Sequence, residues 1–600
     1  MYSRTSTSRL SAIGRAAMVL GLLCGAANAI DPQYFPKNCA KICKGPEDFA
    51  TPLPPGPTGK GNRPSEWSIV TLNQIKANLG TTSPPGVGRA LAIVSMCMYE
   101  AVSLFESENL EPWAAKDFEK IDDNEYMDDV IDGAAFTALE YLFEDFDSFE
   151  SVPESLKEIN KAKDTKSLLS RARTLAAKGL AKAQAKVGFK LLNTKIALAT
   201  GAIACDEVIE KFAEDGFDGL ARPLPDTEVE EFEPINDPQS ISGVTDCEKE
   251  MKNLDRWQPL CTPKEKKPLA DVGNPDCKVQ SWLAPWAGGM TSFALLKGTP
   301  KDGKKIVSKV AAVDKTILGG PPSVNVGLEW QKQMMEVVEA SAKLDDVFKL
   351  VAEHWADGPD STAPPGTWFL IANDAAKAEG LDTVETAKLL MLVGAALNDA
   401  GVASWRLKST YDSIRPLQMV QCGFIGSSIR KVDAWRGPYM GVGPTRVDEW
   451  QPFQLDTFKT PPFAGYVSGH STFSSAAAEV LKLYFGSDKY LGPQCAKFEE
   501  GGSSFERKIT SLEEGFIKGL TDVPNKGRKT VGYSPASDVT ICWETFSDAA
   551  AQAGESRVYG GIHVKADDVD GAGVGKQVAR SVFVKGNALF GEKTKIKAVL

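Results

Sequence analysis

Helical periodicity is the feature that most restricts how this chain can fold. From Trp67 to about Phe217, and again beyond Val326, apolar residues recur every three to four positions. Examples are Ala90-Leu91-Ala92-Ile93-Val94-Ser95-Met96 and Ala176-Ala177-Lys178-Gly179-Leu180-Ala181. That spacing gives each helix an apolar stripe that other helices must cover. Two-residue alternation, the mark of half-buried strands, is scarce. The pattern predicts an all-α protein built of two helix bundles. Between the helical stretches, about Arg222 to Asp314 is rich in Pro, Asp and Lys and reads as a long connection. Gly319-Gly320-Pro321-Pro322 punctuates its end. The expected organisation is a leader at 1–29, an N-terminal helical domain with this Pro- and Cys-rich connection at 30–325, and a C-terminal helical domain at 326–600.

The leader reads as an export signal. Arg4, Arg9 and Arg15 precede an apolar run from Ala16 to Ala27, and Ala27-Asn28-Ala29 is a small-x-small cleavage site, placing the cut after Ala29. A spanning helix needs about 20 apolar residues, more than this run supplies. No later run is long enough either, so a secreted protein without a membrane segment in its mature form is expected. Of the 11 cysteines, removal of Cys24 with the leader leaves an even set, compatible with disulfides in an oxidising compartment. Cys39 and Cys43 frame a short loop, and Cys247, Cys261 and Cys277 fall in the connection. Without a C-x2-C pair or a neighbouring histidine they do not make a zinc site. With 68 basic and 79 acidic residues, net charge −11, the chain is not a general nucleic-acid binder. Its 3 histidines, His354, His470 and His563, exclude most multi-histidine metal centres.

Three segments of the C-terminal half carry chemistry when taken together. In the first, Trp405 to Pro416, Lys408 and Arg415 are spaced to share a helix face with Trp405 nearby, and Pro416 is expected to end the helix. In the second, Pro461 to Phe473, a Pro- and Gly-rich loop leads through Ser468-Gly469-His470 into a helix. Unpaired N–H groups, a hydroxyl and an imidazole together form a natural anion site. In the third, Ser556 to Asp567, a helix stops at Gly560-Gly561 and another starts near His563, with Asp567 one turn on to hold the imidazole tautomer. Gly571, Gly573 and Gly575 follow no strand, so they are read as sites of close helix packing and not as a dinucleotide fingerprint.

The combination K-x6-R-P, S-G-H, S-R-x5-H-x3-D resembles the signature of the vanadium-dependent haloperoxidases and related acid phosphatases. Lys408, Arg415, Ser468, Gly469, His470, Arg557 and His563 match in order and spacing. A softer likeness extends to Ala352-Glu353-His354-Trp355-Ala356-Asp357-Gly358-Pro359 and the helix from Ala90 to Ala101. Val467 departs from the Pro usual before S-G-H, which changes loop stiffness but removes no chemical group. The resemblance implies a two-bundle fold holding vanadate, vanadium(V), through Lys408, Arg415, Ser468, Gly469, Arg557 and His563. It implies His563 as the metal ligand and His470 as the acid–base group. Trp405 and Phe463 would shape a chloroperoxidase-like halide pocket, and the halide itself is left open. Implied partners are hydrogen peroxide, a halide ion and a small organic acceptor, and a homo-oligomer is permitted.

Two other readings stand beside this one. In an acid phosphatase the same residues would serve with His563 as phosphohistidine nucleophile and His470 as leaving-group acid. A helical binding protein without activity is the third, against which the intact constellation speaks. His354 is read as structural.

Overall fold

The computed structural model describes residues 62–78, 83–115, 120–121, 124–143, 194–213, 215, 217–218, 222–223, 232–239, 247, 251–263, 277–295, 319–325, 328–358, 361–424, 428–509, 523–524 and 532–592. The export-signal reading, the Cys39–Cys43 loop and the helical run around Ala176 lie outside these residues.

Within them the chain is mostly helical. The N-terminal helices are α1 (Arg63–Asn78), α2 (Pro84–Ser103), α3 (Met127–Leu142) and α4 (Thr194–Ala213). After the connection come α5 (Glu329–Ala342), α6 (Asp346–His354), α7 (Ala363–Glu379), α8 (Thr383–Tyr411), α9 (Pro416–Gly423), α10 (Gly469–Phe485), α11 (Phe546–Tyr559) and α12 (Lys565–Leu589). Among the described residues the strands form only two-stranded antiparallel ribbons. These are β1–β2 (Phe217–Asp218, Arg222–Pro223), β3–β4 (Cys261–Pro263, Cys277–Val279), β5–β6 (Lys431–Trp435, Val442–Arg446) and β7–β8 (Lys489–Phe498, Val539–Thr545).

α8 is the shared spine. Its start is fixed by a capping box: Asp382 accepts from Glu385 N at 2.8 Å, and the Glu385 carboxylate accepts from Asp382 N at 3.2 Å. Every residue from Leu389 to Trp405 is buried, because α2 covers one side and α10 and α12 another. The helix is long and apolar enough to cross a membrane by length and composition. Yet 94% of its apolar window is buried by protein, as expected of a helix apolar all round at the centre of a fold. α2, α3 and α4 make one bundle, stapled by Cys97–Cys205 between α2 and α4. α10, α11 and α12 make the other, and one apolar core runs through both from Trp67 to Phe590.

α12 lies close on α10, and two of the three flagged glycines sit at the contact. A Cβ on Gly571 would come 2.8 Å from Ser468 O, and one on Gly575 would come 2.3 Å from Thr472 O. The connection is held against the C-terminal half. Cys247–Cys422 ties it to α9, and residues 255–257 pair antiparallel with residues 412–414. Trp257 N donates to Asp412 O (2.8 Å) and Ile414 N to Asp255 O (3.1 Å).

One local expectation is corrected. Lys408 and Arg415 do not share a helix face, and Pro416 does not end α8. Asp412 takes the left-handed conformation (φ 47°), which stops α8 at Tyr411. Pro416 instead opens α9, where its missing N–H costs nothing.

Candidate active site

Three connections between helices meet at one point: the 412–415 link after α8, the 461–468 loop before α10, and the 560–564 link between α11 and α12. Lys408, in the last turn of α8, donates from Nζ to Ala464 O and Gly465 O, both at 2.9 Å. Arg415 donates from Nε to Phe463 O (2.8 Å) and from Nη1 to Ile562 O (2.8 Å). Nη1 also faces His563 Nε2 at 3.1 Å, while the buried Nη2 has no partner among the described residues. Arg557 donates from Nε to Ser556 Oγ (2.9 Å) and from Nη2 to Ala352 O on α6. All three cations are buried.

Ser468 is the N-cap of α10, its Oγ accepting from Ser471 N at 3.3 Å. Its own N–H donates to Asp567 O at 2.9 Å, which ties the oxyanion loop to α12. Gly469 opens the helix against the Trp405 ring, where a Cβ would lie 3.4 Å from the indole. The α10 N-terminus therefore adds its unspent N–H groups and its dipole to the three cations.

The geometry sets the His563 tautomer. A guanidinium can only donate, so Nε2 facing Arg415 Nη1 must be the lone-pair nitrogen. Nδ1 then carries the hydrogen and donates it to Asp567 Oδ2 at 2.9 Å. Burial, and after it the Arg415 and Lys408 charges, hold His563 well below the usual imidazole pKa, so the ring is neutral. His470 lies one residue into α10, and its buried Nε2 has no partner among the described residues. Burial and the Arg557 charge push it down, and the main-chain carbonyls of Trp355 and Ala356 oppose them.

Burial dominates every other ionisable group here. It lowers Lys408, with Arg415 adding to the effect and Asp567 opposing it. It brings Arg415 down to about 9 and Arg557 to about 10. It raises Asp567 to about 7 against the pull of Lys408 and Arg415. Among the described residues, Asp567 and Asp357 are thus the carboxylates acting on the cations, Asp567 on Lys408 and Arg415 and Asp357 on Arg557. Three buried cations against two carboxyls, with a guanidinium N–H and an imidazole nitrogen unspent, is a costly arrangement without an anion. A tetrahedral oxyanion such as vanadate or phosphate fits this donor set, with arginine forks matching its edges. Trp405 and Phe463 pack together (centroids 4.9 Å apart) beside it. Lys408 Nζ lies 5.8 and 5.0 Å from their rings.

A family model described as the VCPO second helical-bundle domain matches residues 388–592, which contain every group just described except Asp357 and the α6 carbonyls. Over residues 388–592 the chain is similar to a VCPO second helical-bundle domain. A curated vanadium chloroperoxidase of Curvularia inaequalis is 31% identical over 112 residues. That stretch spans 19% of this chain and 16% of that protein. The holo crystal structure of a bacterial vanadium-dependent chloroperoxidase aligns with TM-score 0.56 at 16% identity, over 86% of this chain and 94% of that one. Its apo form aligns with TM-score 0.58 at 17% identity, over 86% and 96%. The likeness to these structures is one of fold, and it extends over both bundles.

Outside residues 388–592, α6 and the turn after it supply what the motifs did not announce. Asp357 follows its C-terminus with φ 45°, accepts from Thr367 Oγ1 at 2.7 Å and is raised by burial to about 6. Its position in the 352–359 stretch was the available signal, but only the fold brings it to Arg557. His354 does not join the centre. Its half-buried ring stacks on Trp543 (5.1 Å) and meets Trp355 edge-on (4.8 Å). Burial, then Arg557, lower it to about 3, so it stays neutral.

Proposed function

We propose that this protein is an exported vanadate-dependent haloperoxidase, oxidising halide with hydrogen peroxide to hypohalous acid that halogenates small organic acceptors. The observation that carries the proposal is a pair of buried polar atoms without a partner among the described residues, the Arg415 Nη2 donor and the His470 Nε2 lone pair, in the same centre as His563, whose Nε2 faces Arg415 Nη1. Bound vanadate would supply a Lewis-acidic centre for activating peroxide. Around it, Lys408, Arg415 and Arg557 would balance the anion's charge, and the Ser468 hydroxyl and Gly469 N–H would orient its oxygens. His563 would offer Nε2 as ligand, with Asp567 holding the proton on Nδ1. His470, neutral beforehand, would take up or release protons at Nε2. Trp405 and Phe463 would give the halide an apolar wall next to a cation. Export is part of the proposal, supported by the disulfides Cys97–Cys205, Cys247–Cys422 and Cys495–Cys542.

The Asp567–His563 pair equally suits a nucleophilic imidazole, so a phosphatase is the second reading. The two are separated by assaying the purified protein with orthovanadate, peroxide and bromide or chloride, following halogenation of a dye. A parallel assay uses a chromogenic phosphate ester without vanadate. Vanadate-dependent halogenation is expected. Ester hydrolysis inhibited by vanadate, without halogenation, would overturn the proposal.

A further inference from the structure

The carbonyls of Phe463, Ala464 and Gly465 hold Lys408 and Arg415 in place, so whatever fixes that loop fixes both cations. Ser413, buried in the link between them, touches the loop twice. Its Oγ accepts from Tyr466 N at 2.6 Å, and its main-chain oxygen accepts from Gly465 N at 3.1 Å. On its other side the link is bridged to Arg256 of the connection, and Arg256 Nη1 donates to Tyr411 O at 2.6 Å. Ser413 therefore lies in the middle of three neighbouring chain segments. One comes from the N-terminal half, one carries Arg415, and one leads into Ser468.

We infer that Ser413 is a positioning residue that locks the oxyanion loop to the Lys408–Arg415 link, so that both cations aim at one anion. The inference rests on the oxyanion-site reading but not on halide chemistry, since a phosphatase would need the same lock. Spacing alone did not single it out, because its role arises from the turn at Asp412 that folds the link back on the loop.

Removing the hydroxyl leaves the Tyr466 N–H buried without an acceptor, and the loop shifts to find one. The Gly465 N–H to Ser413 O bond is main-chain and survives, so the fold is retained. The test is calorimetric titration of the full chain with orthovanadate and, separately, inorganic phosphate, comparing wild type, Ser413→Ala and Ser413→Thr. Melting temperature is recorded for each. The expected result is affinity weakened about tenfold for both anions in Ser413→Ala, with recovery in Ser413→Thr, which restores the acceptor. Unchanged affinity in Ser413→Ala, or a loss in melting temperature alone, would overturn the inference. So would a weakened Ser413→Ala that Ser413→Thr fails to restore. Absence of binding by the wild type would instead sink the oxyanion-site reading.

Discussion

Arg415→Lys separates charge from geometry at the site. The native guanidinium spends Nε on Phe463 O and Nη1 on Ile562 O, and keeps Nη2 for the anion. A lysine ammonium has one nitrogen and no fork, so it cannot serve those carbonyls and the anion in the same geometry. The variant should lose one charge-assisted hydrogen bond to the anion, of about 1.5–3 kcal/mol. At about 1.4 kcal/mol per tenfold, that is on the order of 10- to 100-fold in affinity for orthovanadate. Burial adds to the loss, since it already lowers Lys408 and would also lower a lysine placed beside it. The assay is calorimetric titration at neutral pH, with melting temperature as control. Affinity within about twofold of wild type would instead show that charge alone suffices and that the guanidinium fork is not needed.

Anion binding should draw protons into the site. Lys408 and His470 are held below their ordinary pKa values by burial and by neighbouring cations. A bound anion favours their charged forms, so affinity rises as pH falls. Sulfate, whose charge is fixed over the range, should bind more tightly at about pH 6 than at about pH 9, and pH-independent binding would contradict this. Gly575→Ala forces a methyl to 2.3 Å from Thr472 O and 2.9 Å from Ala476 N. Both are main-chain atoms, so α12 must move off α10, costing on the order of 1–3 kcal/mol. Denaturant unfolding reads the cost, and no change in midpoint would show the helices less tightly packed than described.

The helical class and the chemical groups of the site were legible in the sequence, because the 3.6-residue period and the three motifs are local signals. The three-dimensional route was not. Lys408 and Arg415 look like one helix face until Asp412 enters the left-handed region. Nothing about an aspartate at that position demands the turn, and its cause is tertiary: the pairing of residues 412–414 with 255–257. Asp357 and the α6 carbonyls were hidden for a related reason, since their role depends on α6 lying against α11. The His563 tautomer needed both partners in place. Asp567 was foreseeable from its four-residue spacing, whereas the Arg415 contact at 3.1 Å was not.

Titration of orthovanadate into wild type and His563→Ala, with peroxide and halide added at each end point, tests most directly whether one oxyanion sits against His563 Nε2 in a pocket made by Lys408, Arg415 and Arg557. Wild type should bind a single vanadate saturably and show halogenating turnover. His563→Ala should lose that turnover and bind vanadate more weakly. Vanadate bound equally by both proteins, or no saturable binding by the wild type, would contradict that placement of the anion.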